Sequence, residues 1–305
     1  MKFTEIVGRT NIDFMGFRKY AFIFSGIITL IGIFAIIQIL LGHGNLGIDF
    51  GGGTAVQLQF EKPLKIDAAR SVLIKNGIED AELQEFPEDN KILIRLKQIV
   101  TTTEPVADRI ISIFRQDIPD NTFVVDSSTE IGPTVGRKLQ KDAVTAVVLS
   151  FIGIIIYIAF RFEFRFGIAA ALATFHDVIV VMGLFYLLDK EINLLVITAL
   201  LTLAGYSLTD TVVVFDRIRE YLRVRRREPI EQIINNGINH VLGRTVIVSL
   251  TTLLVLVSLF FFGGEVIHDF SFALLMGVLV GTYSSVFVAS PLLILWKGKG
   301  GTLKT

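Results

Sequence analysis

The sequence predicts a polytopic α-helical membrane protein with six transmembrane helices and a small α+β domain between the first and the second. Composition is the first reason: 52% of the 305 residues are hydrophobic and the mean hydropathy is +0.63, which is high for a soluble domain. The second reason is that several apolar runs approach the ~20 residues that a ~30 Å hydrocarbon core requires of a helix. The third is one long polar segment that separates the first run from the others.

The first apolar run covers residues 20–41 and follows Lys2, Arg9, Arg18 and Lys19. A signal peptide has a similar charge pattern, but its apolar region is only about 7–15 residues long, so we interpret this run as a retained transmembrane helix. The other five runs cover residues 143–160, 167–188, 194–215, 245–262 and 270–296. The predicted organisation is an N-terminal segment with helix 1 (1–41), a polar domain (42–137), a bundle of helices 2–6 (138–296) and a tail (297–305).

The polar segment, residues 42–137, alternates between strand and helix patterns. Apolar alternation predicts strands at 54–60, 81–86, 91–96 and 122–129, and helical spacing predicts helices at 66–77 and 105–116. The order β-α-β-β-α-β is typical of a ferredoxin-like domain. Gly51, Gly52 and Gly53 precede the first strand and predict a tight turn into it.

Lysine and arginine are concentrated in alternate loops. The N-terminal segment holds four, residues 161–165 hold two, residues 216–244 hold seven and the tail holds three, whereas residues 189–193 and 263–269 together hold only Lys190. The positive-inside rule then predicts a multi-pass protein of the cell inner (plasma) membrane with both termini cytoplasmic and the polar domain outside the cytoplasm.

Several function classes are excluded by what the sequence lacks. A net charge of zero gives no footprint for nucleic-acid binding, and the absence of cysteine excludes disulfide and thiol chemistry. There is no G-x-x-x-x-G-K-[ST] loop and no H-E-x-x-H motif. We therefore predict no cofactor, no metal site and no enzymatic activity, and a source of energy other than bound nucleotide.

The fourth span contains a carboxylate, Asp210, although an ionisable group in a span costs about 2.5–3.5 kcal/mol on insertion scales. Tyr206, Val213 and Arg217 lie on the same helical face as Asp210, because residues three and four apart are neighbours on a helix. Nearby hydroxyls are expected to surround the carboxylate: Ser207, Thr209 and Thr211. This face therefore suits contact with protein or water better than contact with lipid.

Three further polar residues complete a candidate proton pathway. Arg244 opens the fifth span and is long enough to extend toward Asp210, while His176 and Asp177 lie near the middle of the third span. Burial favours the protonated carboxyl and a nearby arginine favours the charged one, so such a set suits proton relay. Simpler interpretations stay open: Asp210 as a helix–helix hydrogen bond, Arg244 as an interfacial anchor, and His176–Asp177 as a polar pair joining helices.

Four motifs resemble those of the SecD/SecF proteins, and in particular of the SecF family within the resistance-nodulation-division superfamily. GIDFGGGT (47–54) resembles the signature after the first helix, and FHDV (175–178) the third-span motif. GYSLTDTVVVFDRIRE (205–220) and RTVIVSLTTLLVLVSLFFFGG (244–264) are similar to the fourth and fifth spans of SecF. Many relatives have Asn at position 209 and Thr or Ser at position 51, where this chain has Thr209 and Gly51.

The resemblance implies a function and partners. SecF pairs with SecD and assists the SecYEG translocon, using the proton motive force or a Na⁺ gradient in the late translocation and release of secreted proteins; Asp210 and Arg244 match its proton-conduction residues. YajC, YidC, the unfolded secreted polypeptide and membrane lipids are further expected partners. The alternatives are a lipid or drug exporter subunit of the same superfamily, an intramembrane enzyme using His176 and Asp177, and a structural scaffold that conducts no ions.

Overall fold

Six long apolar helices dominate the computed structural model, which describes residues 10–87, 89–97, 105–225 and 227–296. The candidate spans are Arg18–His43, Pro133–Arg161, Phe164–Leu187, Leu194–Val224, Ile230–Phe262 and Val266–Leu295, judged by length and apolar composition. The predicted six-span fold is confirmed in the described residues. The predicted tail, 297–305, lies outside them.

The helices from α5 to α8 are longer than the apolar runs that predict them. In chain order they are α1 (Arg18–Gln38, continued by a π turn, Ile39–His43), α5 (Pro133–Arg161), α6 (Phe164–Leu187), α7 (Leu194–Val224), α8 (Ile230–Phe262) and α9 (Glu265–Ser284). After α9 come a π turn (Ser285–Ala289), the short α10 (Ser290–Leu292) and a 3₁₀ turn (Leu293–Trp296). Helices α7 and α8 extend beyond their apolar runs. The polar C-terminal part of α7 contacts the polar N-terminal part of α8 through Arg217 and His240, and it contacts the turn before α6 through Arg219 and Glu163.

Contacts divide the chain into a helical unit, residues 1–45 and 146–305, and a second unit, residues 46–145. In the helical unit, about half of the apolar stretch of α6 and of the last span is buried, against 6% in α5 and 17% in α1 and α8. Helices α6, α7 and α9 therefore form the centre of the bundle, and α1, α5 and α8 form its periphery.

Arginines are concentrated at one end of the helical unit. We call this end the Arg-rich end, and it comprises residues 10–17, 161–163, 216–225 and 230–240. Arg161 at the end of α5 pairs with Asp216 of α7, and Arg219 of α7 pairs with Glu163 in the α5–α6 turn at 3.2 Å. At the opposite end, Lys190 pairs with Asp269 at 2.6 Å. Along α7, Arg217 and Glu220 form an i,i+3 pair.

The second unit, which we call the sheet unit, is a four-stranded antiparallel sheet covered by helices. Its elements are α2 (Ile48–Gly51), β1 (Gly53–Phe60), α3 (Ile66–Lys75), β2 (Glu82–Phe86), β3 (Lys91–Leu96), α4 (Val106–Asp117) and β4 (Phe123–Ile131). The strand order is β2-β3-β1-β4, the split β-α-β arrangement that the ferredoxin-like prediction requires. Buried Val56, Leu58 and Phe60 alternate along β1 and pack under Ile110 and Phe114 of α4.

The glycine turn before β1 is confirmed and has steric reasons. Gly52 has φ +75 and Gly53 has φ +143, a region that L side chains rarely adopt. A Cβ on Gly53 would lie 2.3 Å from the carbonyl oxygen of Leu96, whereas a Cβ on Gly51 would meet nothing within 4 Å. Only the last two glycines are therefore required, and Thr or Ser at position 51 fits without rearrangement.

Candidate functional site

Asp177 lies at the centre of the helical unit and accepts hydrogen bonds from three side chains. It is fully buried in α6. Ser207 of α7 and Ser284 of α9 both donate to Oδ2, the latter at 2.7 Å. The Nδ1 of His176 lies 2.9 Å from Oδ1, so the Nδ1–H tautomer donates to the carboxylate. A carboxylate with three donors is stable in a buried position.

Asp210 of α7 is half-buried. It lies beside the last span, which also contacts Asp177. The hydroxyl of Ser285 donates to its Oδ2 at 2.6 Å. Asp177 is near enough to interact with it electrostatically, and so is Thr245 of α8. The Thr245 hydroxyl is buried and makes no hydrogen bond of good geometry. Two carboxylates on adjacent helices therefore share one polar region inside an apolar bundle.

A chain of hydroxyls borders this region on the side of α8. Ser249 and Thr282 share a hydrogen bond of 2.7 Å, and the Tyr206 hydroxyl donates to Ser249 at 3.4 Å. Thr282 also donates to the carbonyl of Val278 at 2.8 Å. The path links α7, α8 and α9 through groups that can both donate and accept.

The expectation that Ser207, Thr209 and Thr211 surround the carboxylate of Asp210 is wrong. Ser207 donates to Asp177 instead, and Thr209 donates to the Gly205 carbonyl of its own helix at 2.9 Å. Thr211 is buried without a hydrogen-bond partner in the described part of the chain. Thr209 and Thr211 are each one residue from Asp210 and face other directions on the helix. Ser207 is three residues away and could face the same side, but it binds the buried carboxylate of α6 instead.

Arg244 and His176 occupy different environments. Arg244 is exposed, and over the described residues the ion pairs within 4.0 Å do not include one between Arg244 and Asp210. His176 is 6% exposed and its Nε2 makes no hydrogen bond to the described residues. In this conformation hydroxyls contact Asp210, and the arginine stands outside the cluster.

The arrangement resembles no metal centre. Over the described residues, no three His, Asp or Glu side chains come together as a metal-binding group. The cluster consists of two carboxylates, Asp177 and Asp210, bound by hydroxyls of α7, α9 and the π turn that follows α9.

The pattern for "Protein export membrane protein SecD/SecF, C-terminal" matches residues 114–299, and that for the SecD/SecF GG motif matches residues 45–64. A protein translocase subunit SecF of Thermodesulfovibrio yellowstonii is 51% identical over 98% of this chain and 99% of its own length. The chain belongs to the SecF family of protein translocase subunits.

Two further similarities extend the match. A SecF of Calditerrivibrio nitroreducens is 44% identical over 97% of this chain and 98% of its own length. The crystal structure of SecDF from Thermus thermophilus, described as a translocon-associated membrane protein, has a TM-score of 0.82 and 35% identity over 97% of this chain. The chain spans 40% of that longer SecDF chain.

As a SecF-family chain, the protein is a multi-pass membrane subunit of protein translocation. The sequence motifs of the family located Asp177, Asp210 and the glycine turn. They did not locate Ser284 and Ser285, which hold the two carboxylates. The available signal was the polar run Thr282–Tyr283–Ser284–Ser285 in the middle of the last apolar run, because such a run needs partners inside a membrane.

Proposed function

We propose that this SecF-family chain works with a SecD partner as an ion-gradient-driven accessory of the Sec translocon. It uses the proton motive force, or a Na⁺ gradient, to promote late translocation and release of secreted polypeptides, and it performs no catalysis of covalent chemistry. The observation that carries this proposal is the pair Asp177 and Asp210, two carboxylates in one buried polar cluster of membrane helices.

Magnitudes support an energetic role for the pair. A unit charge that crosses 100 mV releases about 2.3 kcal/mol, and a hydrogen bond to a charged group contributes about 1.5–3 kcal/mol. The free energy that one ion supplies is therefore of the same order as the bond from Ser285 to a charged Asp210. A neutral hydrogen bond of about 0.5–1.5 kcal/mol would not need an ion gradient to break.

The proposed topology and partners follow from the same features. The Arg-rich end faces the cytoplasm by the positive-inside rule, which places both termini there and the sheet unit outside. The little-buried helices α1, α5 and α8 are available for SecD and for membrane lipids. SecYEG and the emerging polypeptide complete the working assembly, with YajC and YidC as further associates.

The proposal is tested by gradient-dependent export in inverted vesicles that hold this chain, its SecD and SecYEG. We expect Asp210→Asn to abolish the part of export that the gradient stimulates. An amide neither takes up H⁺ in this pH range nor carries the negative charge that binds Na⁺. A protonophore and a sodium ionophore, applied separately, decide which ion is coupled.

The matched control is Asp216→Asn on the same helix. Asp216 is an exposed carboxylate that pairs with Arg161 at the Arg-rich end, so its loss should leave stimulation within about twofold of the wild type. Full stimulation in folded Asp210→Asn protein would refute the proposal, as would equal losses in both variants.

A further inference from the structure

Two consecutive serines of the last span hold the two carboxylates. Ser284 donates to Asp177 of α6 at 2.7 Å, and Ser285 donates to Asp210 of α7 at 2.6 Å. Both serines are fully buried. Consecutive helical residues project about 100° apart, since a helix has 3.6 residues per turn, so one dipeptide can contact two different neighbouring helices.

The helix changes type between these two serines. The α-helical part of the last span ends at Ser284, and the π turn begins at Ser285. The hydroxyl of Ser290 donates to the carbonyl of Ser285 at 2.8 Å, five residues back, which matches the wider turn. Pro291 follows and lacks an N–H, so it cannot make the ordinary bond to the carbonyl four residues before it. Isolated π turns are rare and frequently lie at functional sites.

The π turn and the residues after it pack at the Arg-rich end. Val286, Ala289 and Leu293 belong to one buried cluster with Phe14 and Phe162. A change of helix register at Ser285 would turn this segment by about 100° and move it by about 1.5 Å, the increments of one residue. Close-packed interiors do not deform continuously, so the cluster would repack as a unit.

We propose that Ser284 and Ser285 are positioning residues through which the charge of Asp210 sets the register of the last span. With Asp210 charged, the Ser285 hydroxyl makes a charge-assisted bond, roughly twice as strong as a neutral one, and the π turn is stable. With Asp210 neutral the bond weakens, and the segment from Val286 onward returns to α-helical register. Ser284 keeps the part before the turn fixed on Asp177. The inference rests on the proposed function only in requiring that Asp210 change charge.

Other charged and polar groups lie on the helices around this point or next to it in the chain. They are His176 and Asp177 on α6, Tyr206 on α7, Thr245 and Ser249 on α8 with the exposed Arg244 at its edge, and Tyr283, whose hydroxyl lies 3.1 Å from that of Ser25 on α1. Substitution of Asp210 at constant pH isolates its charge.

The test is a distance measurement between spin labels at Leu295→Cys and Val224→Cys, both exposed, in the full chain with a cysteine-free SecD in lipid nanodiscs. The chain has no cysteine of its own, so no background label interferes. At constant pH we expect Asp210→Asn and Ser285→Ala each to shift the distance by several ångströms to the same new value. The double variant should shift no further, because both changes remove one interaction.

Two controls separate positioning from mere packing. Ser285→Thr keeps the hydroxyl and should restore the wild-type distance. Ser271→Ala removes another fully buried hydroxyl of α9, one without a hydrogen-bond partner in the described residues, and should leave the distance unchanged. We also expect Ser285→Ala to lower gradient-stimulated export about tenfold.

The outcomes distinguish this inference from the proposed function. If Asp210→Asn abolishes stimulated export but Ser285→Ala leaves both distance and export as in the wild type, the inference is wrong and the proposed function stands. If Asp210→Asn leaves export intact, the proposed function fails whatever the distances show. Additive shifts in the double variant would also overturn the inference.

Discussion

Gly281 of α9 lies so close to Ser207 of α7 that a Cβ added to the glycine would be 3.3 Å from the Ser207 Cβ. The same Cβ would lie 3.6 Å from a carboxylate oxygen of Asp177. Small residues allow this kind of close helix approach in membranes. The contact is what brings Ser284, one turn further along, within hydrogen-bonding distance of Asp177.

We therefore predict that Gly281→Leu separates α9 from α7 and breaks the bond from Ser284 to Asp177. Overpacking of this kind costs about 1–3 kcal/mol, and the thermal midpoint in detergent should fall accordingly. Gradient-stimulated export should be lost. Gly205→Leu is the control, because a Cβ on Gly205 would meet nothing within 4 Å; if both variants lose export equally, the close contact is not the reason.

The glycine turn before β1 gives a second prediction. Gly53→Ala would place a Cβ 2.3 Å from the Leu96 carbonyl oxygen at a φ of +143, which requires the β1–β3 pairing to shift. We expect an unfolding free energy for the sheet unit lower by about 2 kcal/mol or more, seen as faster hydrogen exchange in β1 and β3 of the full chain.

Gly51→Ala is the matched comparison for that variant. Gly51 lies at the end of α2 with open space around it, and alanine is favoured over glycine in a helix by about 0.5–1 kcal/mol. Exchange in β1 should therefore be unchanged or slower. Equal destabilisation by both variants would show that the three glycines act together, contrary to the geometry.

The sequence predicted the elements of the sheet unit closely because local patterns decide them. Strands predicted at 54–60 and 91–96 are found at Gly53–Phe60 and Lys91–Leu96. In both cases an alternating run is bounded by turn residues, and the helices between them end at glycine or polar residues. The length and apolar composition of the runs were enough to predict the six membrane helices.

The polar cluster was only half predictable. A carboxylate in an apolar run is visible in any sequence, so Asp177 and Asp210 could be found. Their partners Ser284 and Ser285 lie 107 and 75 positions away, and no spacing rule connects such positions. Sequence spacing instead favoured Ser207 and Thr209, which are close to Asp210 in the chain but bind elsewhere.

The segment before α1 provides a third prediction. The Asn235 side chain accepts a hydrogen bond from the Met15 N–H at 3.0 Å and donates to Asp13 at 2.7 Å. Phe14 and Met15 are buried beside it. We expect Asn235→Ala to release residues 10–17, because two hydrogen bonds of about 0.5–1.5 kcal/mol each are lost.

Hydrogen exchange of residues 10–17 in nanodiscs measures the release, with an expected acceleration of roughly tenfold or more. Asn236→Ala is the control: this neighbour donates only a 3.4 Å bond to Glu228 and should leave the exchange unchanged. Slow exchange in Asn235→Ala would mean that burial of Phe14 and Met15 alone holds the segment.

The last prediction concerns the pH dependence of the sheet unit. Asp117, at the end of α4, accepts a bond of 2.7 Å from Asn76 and one of 3.0 Å from Lys75. The Asn76 bond, and after it that of Lys75, lowers the pKa of Asp117 below its usual value. A carboxyl whose folded pKa is depressed contributes stability above its unfolded pKa of about 3.9 and loses it as the pH falls through the folded pKa.

Asp117→Asn should therefore lower the thermal midpoint of the sheet unit at pH 6, and the difference from the wild type should shrink once the pH falls below about 4. A ¹³C NMR titration of the Asp117 carboxyl, assigned by its absence in the variant, should give a midpoint below about 3.9. Asp120→Asn, which removes an exposed carboxylate three residues on, controls for the loss of one negative charge at this end of α4. A constant difference down to pH 2, or a titration midpoint at or above the usual value, would contradict the role of the Asn76 bond.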